Sequence, residues 1–159
     1  MTRLGLKAAL RYGEKLSKFK DMEAAEEYFF ACKDKLLREF EKKCAQYSLF
    51  NPDYSVESLK TLEKIYFDLY EARNFRKAGL SREEFESAMS MYFGEVVVRN
   101  NDGANFEVRE FPFAQGKYEF YISKGLLSVA IADRFRDLYK QPGNVRKNHM
   151  FREYNRYFK

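Results

Sequence analysis

The chain has 159 residues, 45% hydrophobic and 33% charged, with three prolines and a formal net charge of +5. That length suits one domain with a sizeable core, and this balance of apolar and charged residues excludes a disordered chain. No apolar run approaches the roughly 20 residues of a membrane span, and Met1 to Lys20 lacks the apolar centre of a signal peptide, so a cytoplasmic location is expected.

Thr2 to Lys18 reads as an amphipathic helix with Arg3, Lys7, Arg11 and Lys15 at four-residue steps and Leu6, Ala9, Leu10 and Leu16 on other sides. Asp21 caps a long second helix with an apolar stripe of Tyr28, Phe29, Cys32, Leu36, Leu37, Phe40, Cys44 and Tyr47. Cys32 and Cys44 then lie about 18 Å apart along its axis, too far for a disulfide, so both are expected as free thiols. Asn51-Pro52-Asp53 is a turn. Ser55 opens a third helix, with Glu57 in its first turn and Leu59, Leu62, Tyr66, Leu69 and Tyr70 facing inward. Arg73 to Gly79 is a basic connector ending in glycine.

Ser81 and Glu84 form a capping box, in which hydroxyl and carboxylate each satisfy an orphaned backbone N–H. Three consecutive valines, Val96 to Val98, favour a strand. The recurrence of Phe85, Met89, Tyr92, Phe93, Val96 and Val97 at three- and four-residue steps outweighs them and predicts one helix to about Asn100. Gly94 inside it costs about 1 kcal/mol relative to alanine, which points to a second backbone packed close by. Asn100, Asn101, Asp102 and Gly103 tolerate left-handed conformations and end the helix.

A hairpin follows, over about 105–111 and 117–122. Phe106 and Val108 alternate with Glu107 and Arg109, and Tyr118, Phe120 and Ile122 alternate with Glu119 and Tyr121. Glu110-Phe111 breaks the alternation, so a bulge or an early strand end is expected before Pro112. Leu126, Leu127, Ala130, Ile131, Phe135 and Leu138 then read as a helical stripe ended by Gln141-Pro142-Gly143-Asn144. Val145, Phe151, Tyr154 and Phe158 share one side of a last helix, with Arg152, Arg156 and Lys159 elsewhere. The expected fold is α+β: a mostly helical single domain over 1–159, with five or six helices packed around one β-hairpin.

Charge is segregated along the chain. Residues 1–20 carry six Lys/Arg and one acid, residues 141–159 carry five and one, and the remaining 120 carry 18 and 22. The two basic ends, 1–20 and 145–159, are candidate docking elements for an acidic protein or for nucleic acid. At the second end Arg146, Lys147, Arg152, Arg156 and Tyr157 mix cations with an aromatic, the residue types of single-strand binders and of protein interfaces.

Candidates for chemistry are few. His149 is the only histidine, with no serine or cysteine beside it. Three Cys/His ligands scattered along the chain do not resemble a zinc site. Asn100 to Gly103 fails as a calcium loop, because aligning its glycine places Val98 at the first ligand position. The glycines are isolated, so no phosphate loop is expected. No metal or cofactor is assigned. Glu95, Glu107, Glu110 and Glu119 are the carboxylates that, converging in a cleft, would serve as a hydrolase's acid and base.

Tyr54-Ser55-Val56-Glu57-Ser58-Leu59, followed by Tyr92-Phe93-Gly94-Glu95 and a hairpin, resembles small bacterial families of unknown function. Those families share a Ser-x-x-Ser-Leu helix start and a Tyr-Leu-Gly-Glu helix. The likeness spans Tyr54 to Ile122, and Phe106 stands where the pattern usually has tryptophan after the turn. It implies a helix-plus-hairpin fold in a bacterial cytosol and, for some such proteins, an immunity role that neutralises an antibacterial toxin. It transfers no catalytic residue. The expected function is a non-catalytic protein-binding module using the basic ends and hairpin. Nucleic-acid binding by those ends is the alternative, and a carboxylate hydrolase is the third.

Overall fold

The computed structural model describes residues 2–159, apart from the side chains of Asn144 and Val145, so the inward position expected for Val145 lies outside what is described. In chain order it runs α1 (Arg3–Glu14), α2 (Met22–Gln46), α3 (Ser58–Glu71), a 3₁₀ turn (Phe75–Ala78) and α4 (Arg82–Asn100). The strands β1 (Ala104–Glu110), β2 (Tyr118–Lys124) and β3 (Leu127–Ala130) follow, then a second 3₁₀ turn (Leu138–Lys140), α5 (Gly143–Arg146) and α6 (His149–Tyr157).

Helix α4 is the axis of the core. Its capping box is formed as expected, and its buried residues run from Phe85 through Tyr92 and Phe93 to Val97 on more than one face, which is why α2, α3 and the sheet can all pack on it. The valines continue the helix. At its end Asn100 and Asn101 act through their side chains, whose amides donate to the carbonyls of Val96 and Val97, whereas only Gly103 of this stretch has a positive φ. Gly94 meets the Phe106 ring and Ile122 rather than another backbone.

The strands form one antiparallel sheet in the order β1-β2-β3, with Phe106 opposite Ile122, Val108 opposite Phe120, and Ile122 opposite Val129. Phe106 and Phe120 stack at 5.1 Å, and Phe29 of α2 stacks on Phe120 at 5.4 Å. These rings tie the marginal hairpin to the helices. β1 stops at Glu110, the early end that the broken alternation predicts.

Several expectations are corrected. The helix read from Leu126 to Leu138 is instead β3 followed by turns and a 3₁₀ segment. Gly125, at φ +61°, leads a two-residue loop, and Leu126 at its tip is fully exposed. The turns persist because distant side chains accept their backbone N–H groups. Ser90 Oγ takes that of Phe135, Glu86 Oε1 that of Asp137, and the Tyr66 hydroxyl that of Tyr139, each at 3.1 Å. Tyr28 and Tyr47, placed on the α2 stripe, are exposed, and Glu119, placed outward, is buried. Ser55 precedes α3 by three residues and caps it through its side chain, which accepts from Ser58 N at 3.1 Å.

Candidate functional site

The charged stripe of α1 stands clear of the core. Thr2 caps the helix through Gly5 N, and Gly13 is its buried residue, seated against the Phe111 ring and Ala114. Behind it the chain follows the sheet: Tyr118 N donates to Ser17 O, Phe19 N to Gly116 O, and Lys117 Nζ to Leu16 O at 2.7 Å. Arg3, Lys7, Arg11 and Lys15 are exposed and enter no ion pair among the described residues. Leu4, Leu6 and Leu10 beside them are 81%, 42% and 45% exposed. Sequence analysis placed Leu6 and Leu10 only on sides other than the cationic row. Gly13, which meets Phe111 and Ala114, marks the side that does dock, and Ala9 one turn earlier is half-buried.

The second basic end is anchored differently. Arg146 donates to the carbonyls of Gln141 and Tyr139, each at 2.6 Å, and Arg152 Nε donates to Lys147 O. The Arg156 guanidinium lies over the Tyr157 ring, and Arg134 lies over the same ring from another position. Lys147 is exposed. Lys124 Nζ reaches Phe158 O at one end of β2, while α1's trailing segment bonds Lys117 and Tyr118 at the other. Those anchors are separated by the length of the strand, roughly 20 Å, so the basic ends are fixed at opposite ends of β2.

Helix α6 owes its start to a distant acid. Glu63 of α3 accepts the N–H groups of His149 and Met150 at 2.9 and 3.0 Å, a cap supplied from another helix. Burial pushes its pKa up, with those two N–H groups opposing. His149 Nε2 lies 3.3 Å from Glu153. Burial alone would raise the Glu153 carboxyl, but His149 and Arg134 hold it below the usual range.

The four carboxylates do not converge. Glu95 pairs with Arg99 at 3.0 Å and Lys33 at 3.8 Å, on the α2 side of α4. Glu107 is bound by Arg109 and Ser123, which lower its pKa to about 2, and Glu110 accepts from Gly116 N. Glu119 lies instead in a cleft of about 520 Å³ between α1, α2 and β2, with Asp133 at its mouth. Tyr121 donates to it, and the Tyr12 phenol is pushed up by burial and by the neighbouring Glu119. Sequence reading missed this cleft because its parts come from positions 12–17, 28–36, 91, 118–120 and 130–136.

The cysteines are free. Cys44 is buried, which with Glu41 nearby pushes its thiol up to about 12, and Cys32 opens onto the cleft. Among the described residues no group of three or more His, Cys, Asp or Glu is placed to hold a metal, and no helix is long and apolar enough to cross a membrane.

The sequence model of a family described as "Uncharacterised protein YwmA" matches residues 18–158. A curated relative, "Uncharacterized protein YwmA" of Bacillus subtilis (strain 168), is 28% identical over 108 residues, 68% of each chain. No solved structure matches. The matched region holds the core and the sheet, and α1 lies before it.

Proposed function

We propose that this chain, which belongs to the YwmA family of uncharacterised proteins, is a non-catalytic protein-binding module that docks an acidic protein surface on the outer face of α1. One observation carries the reading: Arg3, Lys7 and Arg11 form a cationic row without internal counter-ions, flanked by the exposed Leu4, Leu6 and Leu10. Phosphate backbones call for cations alone, whereas apolar anchors bordered by charge are the composition of protein interfaces. Lys15, just past the helix, extends the row.

Nucleic-acid binding by both basic ends has less support, because Arg146, Arg152 and Arg156 are engaged within the fold and the two ends are anchored apart. A toxin as partner would make the module an immunity protein, and the identity of the neighbouring genes separates that case. The reading is tested by capture from native lysate with wild type and with Arg3→Glu/Lys7→Glu/Arg11→Glu, followed by titration of the purified captured protein. Saturable binding that the variant loses, with unchanged thermal unfolding, is expected. Equal binding by both proteins, or retention of nucleic acid or anionic vesicles alone, would overturn it.

A further inference from the structure

The Glu119 carboxylate is 5% exposed, yet no Lys or Arg among the described residues lies within 4.0 Å of it. The hydrogen-bonding groups beside it are the phenols of Tyr121 and Tyr12, which are neutral donors. An ionised carboxylate taken out of water is ordinarily paired with a cation. Here no cation among the described residues touches it, and the carboxylate lines a cavity open to solvent. Lys15 and Arg136 line the same cavity but stand beyond ion-pair distance. Tyr12, Tyr28, Phe29, Tyr118 and Phe120 supply aromatic rings around that cavity, and ring faces attract cations. Its volume of about 520 Å³ falls within the range of small-molecule sites.

We propose that this cleft binds a small organic cation, a single ammonium group on an apolar or aromatic body, with Glu119 as its counter-ion. The walls set the ligand's character. Phe29, Leu36 and Met91 offer apolar contact for the body, while Lys15 and Arg136 at the mouth, against Asp133, disfavour a second positive charge. Tyr12 comes from α1, so the site is completed by a helix that precedes the family's matched region. The outer row of Arg3, Lys7 and Arg11 takes no part in it.

The test is calorimetric titration of the full chain with phenethylamine, with phenethyl alcohol as the neutral isostere and phenylacetate as the anion. Expected is saturable amine binding about tenfold or more tighter than the alcohol, the scale of a charge-assisted contact, and no binding of phenylacetate. Glu119→Gln should bring amine affinity down to that of the alcohol and leave the alcohol unchanged. Amide shifts in the wild type should centre on Tyr12, Glu119 and Asp133, a readout that decides the matter even where Glu119→Gln fails to fold. Equal affinity for amine and alcohol, no saturable binding of either, or shifts elsewhere would overturn the proposal. Reversing Arg3, Lys7 and Arg11 should not alter amine binding, which separates this site from the docking face.

Discussion

A Cβ built on Gly94 would lie 2.7 Å from Cε1 of Phe106, so the middle of α4 and the first strand approach as closely as a missing methyl allows. Alanine at this position gains about 1 kcal/mol of helix propensity, but it drives a methyl into a ring already stacked on Phe120 and faced by Lys33. Overpacking of this kind costs about 1–3 kcal/mol. Gly94→Ala should therefore lower stability in urea denaturation, and in a Phe106→Leu background the same change should be neutral or favourable. A stabilised single variant would show that the ring yields freely.

Glu86 holds the turns after β3 in place. Its buried carboxylate accepts from Tyr66 at 2.6 Å, Arg82 at 3.2 Å and Asp137 N at 3.1 Å. Glu86→Ala takes this acceptor from the Tyr66 hydroxyl and Asp137 N, while Arg82 keeps Asp137 and Glu83, an expected loss of about 2–4 kcal/mol. Hydrogen exchange at the amides of Asp137 and Tyr139 should accelerate more than at Phe135, which keeps Ser90. Uniform acceleration would mean that the three bonds do not act separately.

Two carboxylates give opposite pH dependences. Arg109, then Ser123, lower Glu107 from 4.5 to about 2, so its contribution is complete above 4.5 and is lost as pH falls toward 2. Burial raises Glu63 above 4.5. The folded protein therefore takes up that proton first, and stability from this group rises as pH falls through the raised value toward 4.5. Melting temperatures across the acid range should show the penalty of Glu107→Gln closing as pH falls. Glu63→Gln should lack the wild-type gain above 4.5. Parallel profiles for both variants would contradict these signs.

Local signals in the sequence carried much of this fold. Ser81 and Glu84 announce the start of α4, and the spacing of Phe85, Met89, Tyr92 and Val96 keeps it helical through the valines. β3 escaped because Leu127, Ile131, Phe135 and Leu138 also fit a helical period, and the acceptors that hold the turns lie 45 to 73 residues away. Lys124-Gly125-Leu126-Leu127 was the available cue, a glycine-led pair between runs that alternate. The cationic row of α1 was legible as a pattern, but the exposure of its leucines depends on Gly13 meeting Phe111, a contact between positions about a hundred residues apart. Glu119 looked like an outward strand residue, since alternation does not register a helix from the other end of the chain.

The docking face of α1 is tested most directly by placing a photo-crosslinking phenylalanine analogue at Leu10 of the full chain and irradiating it in native lysate. One discrete protein adduct, mapped to an acidic segment and lost when Arg3, Lys7 and Arg11 are reversed, is the predicted result. Adducts only with nucleic acid or lipid, or an unchanged protein adduct in the reversed variant, would contradict it.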